Sequence, residues 1–536
     1  MAIIEQFDKR SGITYVYESH SYWDKEKQQP RSNRNLIGKI DPETGKMVAT
    51  DGRGKKRSIA KVKDLPAKQG PIPTESINRR FYGATYLLDE ISDKLGISSD
   101  LKSCFPSIYK QILSVAYFMI LEDNCPLTRF EKWDSLHKHP YGKNITSQRS
   151  SELFSKISED SKNNYFAMQG KRHVEDEYLA YDTTSISSYS ETLKQVAYGV
   201  NKDGDKLPQI NLSLVLGEKS EIPFYYRKLA GNIPDVKTIR NMLADFKVLG
   251  FEKVKFIMDR GFYSKANVNA LMKERLKFLI AVKISLAFVK EELELVINEL
   301  STFPYLNEQY DIYSTTITTE WEYEQERPYK KDIIREKRRV YLHLYFNIDK
   351  AAEDQKRFDR KLMKYYEELT TGKRTKGHEN FYKKFFTVKT TPKRGVQVTV
   401  NQEAVNKAKR YYGYFALLSN EKMESIYALE LYRSKDVIEK TFGNLKERLN
   451  MRRTLVSCEQ SLDGKLFVSF IGLQLLAYIK KNMQKHKLFK NHTMQSFLDK
   501  LDVIECFENP GYAVRVGEVL EKQVKLYEAM DVLPPS

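Results

Sequence analysis

Three carboxylates, each in a distinct local setting, carry the chemistry open to this sequence. Asp182 lies inside the apolar run Tyr178-Leu-Ala-Tyr-Asp-Thr-Thr-Ser-Ile186. Asp259 closes Val254-Lys-Phe-Ile-Met258 and precedes Arg260-Gly261-Phe262, and Glu439 sits within Leu431 to Leu449. Intervals of 77 and 180 residues separate them, so only tertiary folding brings them together. Three carboxylates in one cleft cannot all stay ionised without cations. Hard divalent ions, Mg²⁺ first and Mn²⁺ as a substitute, answer that need through oxygen ligands. Two such ions roughly 3.5–4 Å apart activate a water or a 3′-hydroxyl and stabilise the leaving oxygen of an in-line phosphoryl displacement. The residues therefore point to a metal nuclease or a polynucleotidyl transferase.

The stretch LYRSKDVIEKTFGNLKERL, residues 431–449, contains no Pro and repeats apolar residues at helical spacing, which predicts one α-helix of about five turns. At roughly 100° per residue, with Tyr432 at zero, Lys435 falls at about −60°, Glu439 at about −20°, Lys446 at about −40° and Gly443 at about +20°. Gly443 leaves room on that side for a bulky partner. Ile438, Phe442, Leu445 and Leu449 form a separate face at about −80° to −140°, suited to a core. Charges on the open side of a buried helix are commonly only solvated. The two upstream acids favour instead a site that binds metal through Glu439 and phosphate through its neighbours.

Positioning these residues requires a sheet. Tyr178–Ile186, Ile210–Leu216, Ile222–Lys228, Val254–Met258 and Phe278–Val282 read as strands. A helix from Asp235 to Leu249, opened by Pro234 and ended by Gly250, precedes the fourth, and a second helix capped by Ser264 follows it. Adjacent first and fourth strands at the sheet centre would set Asp182 beside Asp259. The following segment, about residues 285–410, holds strand signals at Thr315–Tyr323, Val340–Phe346 and Val396–Val400, a charged helix at Ala351–Leu369 and a basic run from Lys330 to Arg339. It reads as an inserted β-rich lobe, since structureless connections of that length are unusual. Tyr414–Leu418 would return to the sheet before the Glu439 helix, and Leu462–Lys480 reads as a buried helix, too short to span a bilayer.

The 536 residues suffice for three or four domains, and 41% hydrophobic content supplies real cores. A balance of 89 Lys and Arg against 71 Asp and Glu, a net +18, favours a polyanionic partner, nucleic acid first. Residues 1–70 form an expected small β-rich basic domain with strands at Ile13–Tyr17 and Leu36–Ile40 and a turn at Asp41–Gly45. Its cations are Lys25, Lys27, Arg31, Arg34, Lys39, Arg53, Lys55, Lys56, Arg57, Lys61 and Lys63. The interleaved Tyr15, Tyr17, Tyr22 and Trp23 suit either stacking on nucleic acid or a small core. Gln69-Gly70-Pro71-Ile72-Pro73 reads as a linker. Residues 74–171 are a helical DNA-binding region in which Ile91–Ser98 resembles the start of a helix-turn-helix, with Lys102 misplaced for its second helix. A helical tail, 486–536, either packs locally or forms a dimer contact. Cys104, Cys125, Cys458 and Cys506 are far apart and read as reduced thiols. The amino terminus shows no signal peptide, which favours the cytoplasm.

Taken together, YDTTSIS around Asp182, DRGF around Asp259, YGYFALLSN leading inward, and Tyr432-x2-Lys435-x3-Glu439-x6-Lys446 resemble the DDE transposases of bacterial insertion sequences. The similarity is to the subgroup with a Tyr/Arg/Glu/Lys signature and covers about residues 170–480; YWDKEKQQPRSNRNLIGKIDPETGK also resembles the opening of one branch of it. The resemblance implies an α/β fold with a ribonuclease H-like mixed five-stranded sheet flanked by helices, formed by residues 172–284 and 411–485, and a β-rich insertion before the last catalytic helix. It implies Asp182, Asp259 and Glu439 as ligands of two metal ions, and Tyr432, Lys435 and Lys446 as phosphate contacts at a transposon end. Lys435 stands where the family has Arg, keeping the charge and losing the bidentate fork. Arg260 would contact DNA or pin its turn by a salt bridge. Trp321 would stack on a flipped base or fill the core of the inserted lobe. The implied partners are double-stranded DNA, at transposon ends and target, and a second copy of the chain, with no membrane. A structure-selective nuclease of the same fold and an inactive DNA-binding relic are the competing readings.

Overall fold

In Phe256-Ile257-Met258 and Phe278-Leu279-Ile280-Ala281, alternate side chains enter two different hydrophobic clusters, as the two-residue period of a strand buried on both faces requires. The computed structural model describes residues 2–24, 27–42, 44–49, 77–172, 177–326, 332–391, 395–509 and 511–536. Lys25, the cations Arg53 to Lys63, the linker at residues 69–73 and Lys330 lie outside the described residues. Contacts divide the chain into two units, Met1–Ser76 with Asn509–Ala513, and Ile77–Glu508 with Val514–Ser536.

The first unit is an antiparallel four-stranded sheet of Ala2–Asp8, Ile13–Asp24, Gln29–Ile40 and Met47–Ala49 in sequential order. The predicted turn forms: Gly45, at φ +62°, donates its N–H to Asp41 O at 2.9 Å. Tyr22 and Trp23 are exposed, so these two rings do not form a core.

The second unit is built on one mixed sheet. Its strands are β1 (Tyr178–Ser187), β2 (Gln209–Gly217), β3 (Pro223–Ala230), β4 (Lys255–Met258), β5 (Lys277–Val282), β6 (Leu306–Asn307), β7 (Ile312–Glu326), β8 (Ile333–Phe346) and β9 (Tyr414–Ser419). The order across the sheet is β6-β7-β8-β9-β5-β4-β1-β2-β3, with β1, β4 and β5 parallel. The five expected strands are therefore present, but the sheet has nine. The inserted segment is not a separate lobe in its strand pairing. β7 and β8 form a long hairpin, and β8 pairs with β9 from Tyr341↔Ser419 to Phe346↔Tyr414. Val340, Leu342 and Leu344 give β8 an apolar face that is buried only by joining the sheet. The rest of the insertion, the helices Ile348–Thr370, Glu379–Phe385 and Gln402–Lys409 with a hairpin of Phe386–Thr391 and Gly395–Val400, gathers around its own cluster of Tyr365, Tyr382, Phe385 and Phe386.

Helices cover both faces. α1 (Thr238–Leu249) and α2 (Lys265–Lys273) follow β3 and β4, and Phe246 of α1 packs on Phe256 of β4 with ring centroids 5.7 Å apart. α3 (Ser425–Ser434) closes the opposite face through Ala428, Leu429 and Leu431, α4 (Asp436–Glu447) follows it, and α5 (Glu459–Lys485) runs almost wholly buried through the unit. α5 meets the length and composition of a membrane span, but the folded chain surrounds it. Of the six α-helices described between Gly83 and Gly170, Gly83–Lys94, Tyr109–Leu121, Ser147–Ser155 and Glu159–Gly170 pack against α5. The helix-turn-helix-like pair is Gly83–Lys94 and Ile97–Cys104, joined by Gly96 at φ +71°, with Ile97 and Leu101 buried and Lys102 exposed. The carboxyl-terminal segment is not a free tail. Its strand Glu505–Glu508 pairs with Asn78–Phe81, and Tyr527 donates its hydroxyl to Gly83 O at 2.9 Å.

One buried titratable group makes the sheet sensitive to acid. His343 of β8 is fully buried, with Nδ1 2.8 Å from Thr316 Oγ1 and Nε2 without a hydrogen-bond partner, and burial pushes its pKa down to about 4. The unfolded chain takes up this proton near the ordinary histidine value while the folded chain does not, so stability falls as the pH drops from that value toward 4. Chemical denaturation of H343L is expected to lose about 2 kcal/mol less stability between about pH 7 and pH 5 than the wild type does.

Candidate active site

The parallel ladder of β1 and β4 pairs Tyr181 with Met258, and the next residue on each strand is Asp182 and Asp259. Two acids distant in sequence thus stand side by side, Asp182 in the middle of β1 and Asp259 just past the end of β4. The turn after β4 is tightly held. Asp259 accepts the Arg260 N–H at 2.8 Å, and the buried Asn267 amide donates to Val236 O at 2.7 Å and Phe262 O at 2.8 Å. On β1, Asp182 accepts the Thr183 N–H at 2.7 Å, and the Thr183 hydroxyl bonds Asp235 at the start of the helical turn before α1.

The third acid comes from a helix that is not the single rod its sequence predicts. Lys435 separates α3 from α4: its N–H reaches Tyr432 O at 3.4 Å, and Ile438 N reaches Lys435 O at 2.9 Å, the shorter spacing of a 3₁₀ turn. The Ser434 hydroxyl takes Leu431 O at 2.7 Å, and Asp436 supplies an acid to the first turn of α4. The break re-aims Tyr432, whose hydroxyl donates to Asp259 Oδ1 at 2.7 Å. Beyond it, Ile438, Phe442, Leu445 and Leu449 are all buried, so the expected core face holds. Gly443 lines the site with nothing within 4 Å of where a Cβ would stand.

Asp182, Asp259 and Glu439 all line one cavity of about 490 Å³. Asp203, Asp235 and Glu447 also line it, against only three cations, Lys202, Lys446 and Arg452. Each of those cations pairs with an acid outside the predicted three. Lys446 meets Asp203 at 2.7 Å, Lys202 meets Asp235 at 3.1 Å, and Arg452 meets Glu447 at 3.2 Å. Lys202 also reaches Asp182, at 3.4 Å. A chain of net charge +18 therefore holds a cavity lined by six carboxylates and three cations.

Lys435 is the counter-ion that remains. Its side chain is 12% exposed, and Nζ lies 3.2 Å from Glu439 Oε1 and 5.3 Å from the Tyr432 ring centroid. Burial disfavours its charge, but Asp259, Glu439 and Asp182 outweigh burial and hold its pKa above the ordinary lysine value. Burial raises the Asp182 carboxyl despite Lys202. Burial also acts on Asp259, but the Tyr432 hydroxyl, the Arg260 N–H and Lys435 prevail and leave it below the usual carboxylate value. The two aspartates are thus driven apart in acidity by their surroundings, a pattern typical of functional sites.

The hard oxygen donors and the acidic lining fit divalent cations, held by Asp182, Asp259 and Glu439. As the side chains stand, no group of three or more His, Cys, Asp or Glu among the described residues is close enough to hold one ion. Glu439 is 62% exposed and engaged with Lys435, so convergence requires it to leave that lysine.

The remaining predicted residues divide. Lys446 lines the cavity, but Asp203 holds it on both oxygens, so a phosphate would have to displace that carboxylate. Arg260 is exposed and forms no ion pair among the described residues, so no salt bridge pins its turn; Asp259 does, through the backbone. Trp321 is not available for stacking. It is 6% exposed, donates its indole N–H to Asn269 Oδ1 at 2.8 Å, and packs edge-on to Tyr263 and Phe288. Lys202, Asp203, Asp235 and Arg452 went unrecognised in the sequence. Their signal was a charged turn, Lys-Asp-Gly-Asp, following the strand that carries Asp182, and an Asp that read only as a helix start.

Residues 175–475 match the family described as the transposase DDE domain. No curated protein matches the chain. Seven solved chains do. One is the piggyBac transposase in a cryo-EM structure of its synaptic complex with hairpin DNA, at 12% identity and a TM-score of 0.34, covering 84% of this chain and 76% of that one.

If the three acids share divalent ions, Mn²⁺ should raise the melting temperature of the wild type, by about 2–4 °C at saturating ion. D182N, D259N and E439Q should each remove that rise, and D182N should melt no lower than the wild type in chelator, because it deletes a buried charge. Differential scanning fluorimetry with and without the ion checks both.

Proposed function

Because the chain belongs to the transposase DDE domain family, we propose that it is a DNA transposase that cleaves double-stranded DNA at the ends of its element and transfers the freed 3′ ends to target DNA. The observation that carries this reading is the shared acidic cavity, which Asp182, Asp259 and Glu439 enter from β1, the end of β4 and α4, and in which six carboxylates outnumber three lining cations. Enzymes of this family are of the polynucleotidyl transferase type and generally use divalent metal ions. A ribonuclease H-like core accounts for the sheet order β3-β2-β1-β4-β5, an antiparallel meander followed by two parallel strands.

Two Mg²⁺ ions on the three carboxylates would supply activation of the attacking oxygen and stabilisation of the leaving one. The chain's own residues prepare that site. Tyr432 fixes the rotamer of Asp259 and, with the Arg260 N–H, keeps it ionised. Lys435 holds positive charge among the acids and on release from Glu439 is free to meet a phosphate. The bare backbone at Gly443 gives a DNA strand space beside α4. Lys446, exchanging Asp203 for a phosphate, would draw that strand inward. The family's bacterial insertion-sequence branch, a cytoplasmic setting and a homodimer that pairs two DNA ends complete the reading.

D182A, D259A and E439A are each expected to lower Mg²⁺-dependent cleavage of element-end DNA by at least about a hundredfold with binding largely intact. Near wild-type cleavage by any one of them removes that residue from the site. K446A should weaken DNA binding and reduce the slope of log affinity against log salt by about one. Strand transfer from precut ends separates a transposase from a nuclease that never joins strands.

A further inference from the structure

The connection from β1 to β2 borders the acidic cavity through Lys202 and Asp203 and carries large side chains that are mostly exposed. Tyr189 is 69% exposed, Tyr198 74% and Val200 91%. Single exposed apolar residues are ordinary on a protein surface. These are not carried by a loose loop. Ala197 and Gln209 exchange both backbone hydrogen bonds, at 2.9 and 3.0 Å, Gly231 donates its N–H to Gln195 O at 3.1 Å, and Ser188 donates its own to Pro208 O at 2.9 Å. The Gln209 side chain holds Val200 O at 3.2 Å, and Asn201 holds the Ser187 hydroxyl at 3.0 Å. Between the two exposed residues, Gly199 runs so close to Gly231 that a Cβ would stand 2.0 Å from its carbonyl oxygen. The backbone is thus clamped into a shape that turns Tyr198 and Val200 to solvent, four and two residues before the cavity-lining Lys202.

The second ring is tied to the cavity from the other side. The Arg453 guanidinium lies 5.8 Å from the Tyr189 ring centroid and pairs with Asp205 at 2.8 Å, while the preceding residue, Arg452, lines the cavity. Rings and cations on a preformed backbone match a nucleotide whose base is unpaired: the ring receives the base, and lysine or arginine the phosphate. A paired base inside a duplex offers no free face to such a ring. Trp321, for which the sequence left stacking and a core position open, takes the core position.

We propose that Tyr198 and Tyr189 form an aromatic rim that stacks the unpaired bases of a DNA strand at the mouth of the acidic cavity, with Lys202, Arg452 and Arg453 on its phosphates. This rests on the DNA-binding reading above and assigns the strand form that the cavity receives. The rim is pre-organised, so it costs little ordering on binding.

The test is binding of the full chain, in chelator, to a short duplex of arbitrary sequence that is either blunt or carries a single-stranded oligo-dT tail, followed by fluorescence anisotropy. The wild type is expected to bind the tailed duplex about tenfold more tightly, the value of one base stacked on one ring. The Y189A/Y198A double variant should bind both duplexes alike, and Y189F/Y198F should keep the preference, which separates lost stacking from misfolding. A 2-aminopurine in the tail should be quenched by the wild type and the Phe variant but not by the Ala variant. Equal binding of both duplexes by the wild type, or an unchanged tail preference in the Ala variant, overturns the rim while leaving the transposase reading intact. Failure of the wild type to bind either duplex overturns the DNA-binding reading and the rim with it.

Discussion

The parallel pairing of β1 with β4 is the constraint from which the cavity follows. Its register, Tyr181 opposite Met258, sets Asp182 and Asp259 next to each other where β4 ends and the backbone turns away. A one-residue slip would exchange the side chains of the two buried clusters, each packed around its own partners, so the register is specified by packing on both faces. The third acid needs no such pairing. It needs only α4 to lie on the sheet by Ile438, Phe442 and Leu445, which turns Glu439 toward the same opening.

Crowding acids carries an electrostatic penalty that the chain meets locally. Three lysine or arginine residues pair with Asp235, Asp203 and Glu447, one hydroxyl and one N–H hold Asp259, and Lys435 sits half-enclosed among the rest. The resemblance in sequence places an arginine where this chain has Lys435. A lysine there can slide along its stem and follow Glu439, whereas a planar fork would fix two oxygens at once.

Much of this was legible in the sequence because it is local. Strands of alternating or continuous apolar residues, Gly250 ending α1, Ser264 capping α2 and the buried stripe of α4 are all set by neighbours within a few positions. The three acids could be singled out because each interrupts or ends such a pattern. What was not legible depends on partners distant in the chain. The hairpin of β7 and β8 looks the same in sequence whether it stands alone or joins β9, and Trp321 is equally at home in a core or on a base until Asn269 and Phe288 are placed around it. The interruption at Lys435 left no Pro or Gly to mark it, since a 3₁₀ turn between two helices needs neither. Lys202 and Asp235 became site residues only through the sheet that brings them beside Asp182.

The claim that Asp182, Asp259 and Glu439 share divalent ions is tested most directly by anomalous diffraction from crystals of the protein grown with Mn²⁺ and a DNA end. Two peaks are expected in the cavity, ligated by the three carboxylates, with Glu439 released from Lys435. Manganese bound elsewhere, or ligated without one of the three acids, would contradict it.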